Sequence, residues 1–269
     1  GALTGPAITA LLVQSLGPRN LLLVSALFLF LAVVCIARLS VWSESRASAE
    51  KQKTATQKEL LISGGVWAGI TSVVRSPYLA GIGLLMVLYT TLSTFLYLMQ
   101  AQIIRDAFVD SAARTAVFAS IDLAVNAATL TLQLFLTGRL VKWFGLAVVL
   151  AIIPVLLAIG FTLLGVVPVL SVLLVVQVIR RAGNYAVMRP AREMLYVVLS
   201  REEKYKAKNV IDTLVYRTGD AVSAWVYAGM RSIGMSISGV ALIAVPLALV
   251  WAFVAFALGQ QQAKIAGKK

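Results

Sequence analysis

The chain has no histidine, and its single cysteine, Cys35, lies inside an apolar run. These shortages exclude a disulfide framework, a metal site of cysteine and histidine ligands, and catalysis that depends on imidazole. The chain also lacks a phosphate-binding loop of the G-x-x-x-x-G-K-[ST] type, so it does not hydrolyse ATP by that route. We therefore expect a protein that is not an enzyme and that holds no metal or cofactor.

Acidic residues are scarce as well. The chain has 11 aspartates and glutamates against 24 lysines and arginines, which gives a net charge of +13. A basic excess of this size is typical of proteins that bind nucleic acids. Here, however, the positive charges stand in short loops between long apolar segments, which indicates membrane topology. We expect no nucleic-acid partner.

Apolar sequence is what the chain has in abundance, with 60% hydrophobic residues and a mean hydropathy of +0.90. A helix needs about 20 apolar residues to cross a hydrocarbon core of about 30 Å. Segments near this length predict an all-α, polytopic membrane helix bundle with about eight transmembrane helices and the lipid bilayer as its surroundings. The predicted spans are 2–16, 20–39, 77–104, 113–137, 146–166, 169–199, 207–231 and 236–258.

One long polar loop divides these spans into two groups. The sequence predicts two helices at 1–39, a cytoplasmic inter-half loop at 40–75, a six-helix bundle at 76–259 and a basic tail at 260–269. With that loop in the cytoplasm, fourteen lysines and arginines fall in cytoplasmic segments and four in the opposite loops. This positive-inside asymmetry places the C-terminus in the cytoplasm.

Two helices and six helices around such a loop are typical of a twelve-helix major facilitator without its first four helices. Because the chain opens in an apolar segment at Gly1, we expect a C-terminal fragment that works with the missing N-terminal helices. The motif GALTGPAIT, from Gly1 to Thr9, resembles the glycine and proline motif on the fifth helix of many major facilitator antiporters. The motif GRLVKWFG, from Gly138 to Gly145, resembles their short cytoplasmic loop motif, with both glycines expected in turns and Lys142 in place of the customary aspartate.

The segment RPAREMLYVVLSREEKYKAKNVIDTLVYRTGDAVSAW, from Arg189 to Trp225, closely resembles the ATP:ADP antiporter family, and in particular its free-living bacterial members. The resemblance implies a secondary active transporter of the bacterial inner membrane that exchanges anionic metabolites such as nucleotides by alternating access. It also ties the K-x-K-x-x-I-D pattern, with Lys206 and Lys208, to nucleotide handling. We expect these lysines at the start of a helix, where the helix dipole adds to their charge. A glutamate that the nucleotide carriers have in the first helix of this half is replaced by Tyr97.

Polar side chains at membrane depth are the candidates for contact with an anionic substrate, because charges there usually line a path or pair with one another. The predicted substrate-binding residues are Asp122, Asn126, Arg180, Arg181, Asn184, Lys206, Lys208 and Arg217. We expect one of the two adjacent arginines to pair with Asp122 or Asp220, and the remaining arginine to face a central cavity as an anion receptor. The alternative is that all of these charges form structural pairs between helices.

A second set of charged residues is predicted to act in coupling or gating. It consists of Arg189, Arg192, Glu193, Asp212 and Asp220. We expect Arg192 to pair with Asp212 at the cytoplasmic end, and Arg217 and Asp220 to lie deep in the membrane, mid-way along their span. Because Asp122 and Asp220 are central carboxylates able to carry a proton, the alternative function is a proton-coupled carrier for another small anion. A non-transporting membrane anchor or sensor is a further alternative.

Overall fold

The structure is a computed structural model that describes residues 2–50 and 66–267. These residues form ten α-helices, and no β-strand occurs among them. The helices are α1 (Thr4–Glu50), α2 (Val66–Arg75), α3 (Pro77–Ala107), α4 (Ser111–Phe135), α5 (Thr137–Val166), α6 (Leu170–Gly183), α7 (Arg189–Leu195), α8 (Arg201–Asn209), α9 (Tyr216–Ser232) and α10 (Ile237–Ala266). The prediction of an all-α, polytopic membrane helix bundle is confirmed.

Six segments of the described chain are long and apolar enough to cross a membrane. They are Thr4–Ser40, Pro77–Ala107, Ser111–Phe135, Thr137–Val166, Leu170–Leu195 and Ile237–Ala266. The predicted number of about eight differs for two reasons. The first two predicted spans form one helical segment that is broken only at Gly17 (φ 74°, ψ 159°). The span predicted at 207–231 is helical, but its internal charges leave it outside the six.

The predicted inter-half loop, 40–75, is helical in its described parts. Helix α1 continues into it as far as Glu50, α2 forms its end, and residues 51–65 lie outside the described residues. Helix α2 packs against α3 and α8. A Cβ atom at Gly69 would lie 2.9 Å from the carbonyl oxygen of Lys206, so glycine permits α2 to lie directly on the backbone of α8.

The motif at 138–145 is a short helix and not a loop. Gly145 has a left-handed backbone conformation (φ 74°, ψ 164°) that glycine adopts without steric cost, and it separates a short first part of α5 from the long second part. Gly138 has no positive φ and lies within the helix, so the prediction that it forms a turn is wrong.

Helix α3 lies at the centre of the bundle, where it contacts α6, α9 and α10. Helices α5 and α10 pack almost backbone to backbone, because a Cβ atom at Gly259 would lie 2.3 Å from the Cα atom of Ala147. Helix α1 packs along α4, and the Asn126 side-chain amide donates to the carbonyl oxygen of Ala2 at 2.6 Å. Small residues at such contacts allow membrane helices to approach closely. Two seams remain around α3, one with α6 and α7 and one with α9, and these seams hold the buried polar groups.

Two π-helical segments interrupt the helices that form these seams. Asn184–Met188 joins α6 to α7, and Val210–Val215 joins α8 to α9. The first segment precedes Pro190, which has no N–H to donate to the carbonyl oxygen of Ala186. The hydroxyl of Thr137, at the start of α5, donates to that carbonyl oxygen at 2.7 Å. Short π segments of this kind occur frequently at functional sites.

Candidate functional site

One face of α3 carries the groups that meet the buried polar side chains of α6 and α7. Spacings of three and four residues place these groups in a line along the helix. They are Met86, Tyr89, Ser93, Leu96 and Gln100. From α6, the fully buried Gln177 amide donates to the carbonyl oxygen of Leu96 at 3.3 Å and to the side-chain oxygen of Gln100. The seam is thus closed at this level by a hydrogen-bonded pair of amides.

Arg180 lies one turn further along α6 and is 7% exposed. Its Nε and Nη2 atoms donate to the side-chain oxygen of Gln177 at 3.1 and 3.0 Å, and its Nη1 atom donates to the Ser93 hydroxyl. A guanidinium group has five N–H groups, so two of them are left over. Among the described residues, no carboxylate forms an ion pair with Arg180. The charge of this buried arginine is therefore not neutralised.

The adjacent Arg181 differs in this respect. Its Nη1 atom donates to an Asp122 carboxylate oxygen on α4, and both side chains are partly exposed. This is one of the pairings that the sequence predicted for the two arginines. Successive residues of a helix point about 100° apart, so Arg181 meets α4 while Arg180 meets α3. One arginine is neutralised and the other is left as the candidate anion receptor.

Three tyrosines lie in the neighbourhood of the Arg180 side chain. Its electrostatic neighbours include Tyr89 on α3, Tyr185 in the first π segment and Tyr216 at the start of α9. The rings of Tyr89 and Tyr216 are 6.5 Å apart between centroids, and that of Tyr89 is 5.9 Å from the ring of Trp251. The Tyr185 side chain is 41% exposed. Arg180 thus sits in a partly aromatic environment that α3, α6 and α9 build together.

The second predicted central carboxylate, Asp220, lies at the edge of the seam between α3 and α9 and is exposed, not deep as predicted. Thr94 donates its hydroxyl to Asp220, and one turn further the Ser223 hydroxyl bonds to that of Thr91 at 2.9 Å. A Cβ atom at Gly219 would lie 2.6 Å from a side-chain oxygen of α3, so glycine allows this close approach. Asp220 turns to α3, while Arg217 is exposed and has no ion-pair partner among the described residues.

A charge network lies where α7 meets the second π segment. Arg192 and Asp212 form the predicted pair, with Nη2 and Oδ1 3.6 Å apart. Next to it, Lys208 donates to Glu193 at 2.7 Å. Arg189 is exposed and has no ion pair among the described residues. The network therefore joins α7 to the helix that carries the K-x-K-x-x-I-D pattern.

The expectation that Lys206 and Lys208 begin a helix is wrong. Helix α8 begins at Arg201, because Ser200 and Glu203 form a capping box in which each side chain binds the other residue's backbone N–H. The two lysines lie in the last turn of α8. There Lys206 pairs with Glu202 at 2.5 Å, and its hydrogen bond, followed by its charge, lowers the pKa of that carboxyl.

The remaining predicted residues take positions at the edges of the site. Asn184 is the first residue of the first π segment and is partly buried. Asn126 uses its amide to bind the start of α1, as described above. Tyr97 is 57% exposed and lies one turn from Thr94 on α3. The sequence did not single out Ser93 or Thr94, although hydroxyl groups in an apolar helix are a signal of contact between helices.

The comparisons with known proteins point to one family. The family model described as TLC ATP/ADP transporter matches residues 14–262 of the chain. No curated protein and no solved structure matches the chain. The matched range covers α3 to α9 in full, and therefore both polar seams and the charge network.

Proposed function

Because the chain belongs to the TLC ATP/ADP transporter family, we propose that it is a secondary active transporter that exchanges anionic nucleotides such as ATP and ADP by alternating access. The single observation that carries this proposal is the buried guanidinium of Arg180. A charge within a membrane span costs several kcal/mol unless it is paired or functional. Arg180 is only 7% exposed, and the described residues supply it with no carboxylate.

The geometry of Arg180 suits a phosphate group. Two N–H groups remain after those that bind Gln177 and Ser93. Guanidinium stays charged when buried and binds phosphate oxygens with two parallel hydrogen bonds. The neighbouring Tyr185 and Tyr216 carry aromatic rings, a type of side chain on which any nucleobase stacks. We place the phosphates at Arg180 and the base toward these tyrosines.

Repeated structure supports a major facilitator architecture for this transporter. The pattern L-V-x-x-L/F-G occurs at 12–17 and again at 140–145. Its last residue, Gly17 or Gly145, has nearly the same backbone conformation in both copies, with φ 74° and ψ 159° or 164°. Internal repeats are characteristic of such transporters. We propose that 76–259 forms one half, which alternates access with helices of the other half.

The orientation follows from the basic residues. Helix α8 carries several lysines and an arginine, and two of the apolar spans have basic residues at one end, Arg139 and Lys142 at the start of α5 and Lys264 at the end of α10. The positive-inside rule places these segments in the cytoplasm. We propose a bacterial inner-membrane protein whose C-terminus is cytoplasmic.

The environment of Asp220 favours a second candidate, a proton-coupled carrier for another small anion. Asp220 accepts a hydrogen bond from Thr94, but no cation of the described residues pairs with it, whereas Asp122 is tied to Arg181. Ionisable residues within membrane spans mark functional sites, and proton transfer is one of the roles that aspartates have there.

Counterflow into liposomes tests these functions. The full-length protein is reconstituted, and uptake of labelled ADP is measured with ATP, ADP, a simple organic anion or no solute inside. We expect uptake only with internal nucleotide, and no dependence on a pH gradient. Uptake driven by a pH gradient into liposomes without nucleotide supports the second candidate. No flux of any of these solutes in correctly folded protein contradicts both and leaves a non-transporting membrane module.

A further inference from the structure

A second buried arginine, Arg192, lacks the acceptors that a guanidinium group requires. It is 8% exposed, and its Nε atom is buried without a hydrogen-bond partner among the described residues. Its Nη1 atom lies 3.0 Å from the sulfur of Met86, which is a weak acceptor. Its Nη2 atom is 3.6 Å from Asp212, which is beyond hydrogen-bond length. The charge is balanced by Asp212, but the N–H groups are not satisfied.

Two further buried polar atoms beside Arg192 are also unpartnered. The Tyr196 side chain is fully buried, and its hydroxyl has no hydrogen-bond partner among the described residues. Oδ1 of Asp212 is likewise buried and without a hydrogen bond. Tyr196 follows Arg192 by about one helical turn, so the two side chains leave the helix on the same side. The cluster thus holds two unpartnered donors, the Arg192 Nε–H and the Tyr196 hydroxyl, against one unpartnered carboxylate oxygen, and a phosphate group supplies acceptors for both donors.

The first π segment brings this cluster into line with Arg180. Residues twelve positions apart in a regular α-helix lie about 120° apart around its axis. A π segment takes up one extra residue, which turns the following residues back by about 100° and leaves about 20° between Arg180 and Arg192. Their contacts agree, because Ser93 and Met86 lie on one face of α3, about 10 Å apart along its axis.

We propose that Arg192 and Tyr196 form a second anion station, which takes the phosphate group of a substrate between Arg180 and the basic end of the bundle. The proposal rests on the proposed function. Asp212 covers the station when it is empty, so the substrate anion and Asp212 compete for Arg192. The 3.6 Å separation of Arg192 from Asp212 is long enough for the pair to open without breaking a strong hydrogen bond. Lys208 and Glu193, which bond at 2.7 Å, hold the two helices together meanwhile.

Binding of inorganic pyrophosphate tests the station. The full-length protein carries Arg180→Gln, so that the first site does not contribute, and affinity is measured by calorimetry in detergent. We expect Asp212→Asn to tighten binding at least about tenfold, because the competing carboxylate is lost. Adding Tyr196→Phe to the Asp212→Asn protein removes one hydrogen-bond donor and should weaken its affinity for pyrophosphate at least about threefold. Unchanged affinity in the Asp212→Asn protein overturns the proposal.

A matched control excludes a general effect of charge. Glu202→Gln removes one negative charge from the same end of the bundle but leaves Arg192 untouched, so affinity should not change. Equal tightening by Glu202→Gln and Asp212→Asn overturns the proposal. If Asp212→Asn does not fold, Tyr196→Phe alone decides, since it deletes an unpartnered hydroxyl: weaker binding supports the station, and unchanged binding overturns it.

The station and the proposed function fail separately. If the protein shows no nucleotide counterflow but binds pyrophosphate more tightly after Asp212→Asn, the second anion station is supported and the assignment to nucleotide exchange is refuted. If the protein shows nucleotide counterflow but its affinity for pyrophosphate is unchanged by substitutions at Asp212 and Tyr196, the proposed function stands and the second anion station is refuted.

Discussion

The two adjacent arginines of α6 allow a sharp test of the anion receptor. Arg180→Gln removes the charge that no described carboxylate neutralises, together with the two N–H groups that are free to bind phosphate. A hydrogen bond to a charged group contributes about 1.5–3 kcal/mol. Loss of two such hydrogen bonds, offset in part by the new glutamine amide, weakens nucleotide binding by about 3 kcal/mol or more. We expect the nucleotide concentration for half-maximal exchange to rise at least about a hundredfold.

Arg181→Gln is the matched control, because it replaces the adjacent arginine of the same helix with the same residue. Arg181 is already neutralised by Asp122, so its loss leaves an unpaired carboxylate and lowers thermal stability. The double variant Arg181→Gln/Asp122→Asn should recover most of that stability, with half-saturation changed by no more than about threefold. The assay is counterflow in liposomes, with the melting temperature of each purified variant as the folding check. Equal increases in half-saturation for Arg180→Gln and the double variant would refute the assignment.

Three further predictions follow from local contacts. Gly219→Ala places a Cβ atom 2.6 Å from the Thr90 hydroxyl and should separate α9 from α3, lowering the melting temperature; an unchanged melting temperature would contradict the close seam. Thr137→Val removes the donor to the Ala186 carbonyl and should cost about 1–3 kcal/mol in denaturant unfolding, whereas a neutral result would mean that another donor replaces it. The pKa of Glu202 is lowered, so its contribution to α8 should be full above the ordinary carboxyl range and fade as pH falls below it; amide exchange of α8 measures this, and the same pH profile in Glu202→Gln would exclude this carboxyl.

Several features of the fold and of the charge network were predictable from the sequence. Length and apolarity identify the membrane helices, because hydrocarbon requires long apolar segments. The pairing of Arg192 with Asp212 was predictable because both charges stand at one end of neighbouring helices. The start of α8 was also predictable, since S-x-x-E at Ser200 is a capping-box signature. The prediction that a helix begins at Lys206 and Lys208 did not take this signature into account.

The sequence did not show which neighbouring helix each polar side chain faces. Arg180 and Arg181 are chemically identical neighbours, and only the packing of α3 on one side and α4 on the other decides which of them is neutralised. The direction of Asp220 was unpredictable for the same reason, since Gly219 packs closely on α3 and Asp220 accepts a hydrogen bond from Thr94 of that helix.

The first π segment is a further reason why the directions of side chains could not be predicted in the helix that carries Arg180 and Arg192. A reading with 3.6 residues per turn places Arg192 about a third of a turn away from Arg180, and so assigns them to different neighbours. The extra residue taken up at Asn184–Met188 removes that difference, and Pro190, which favours the irregularity, is the only visible sign of it in the sequence. The line of polar contacts along α3 depends on this irregularity. A change that restored a regular helix there would rotate Arg192 away from Met86 and Asp212 while leaving Arg180 in place.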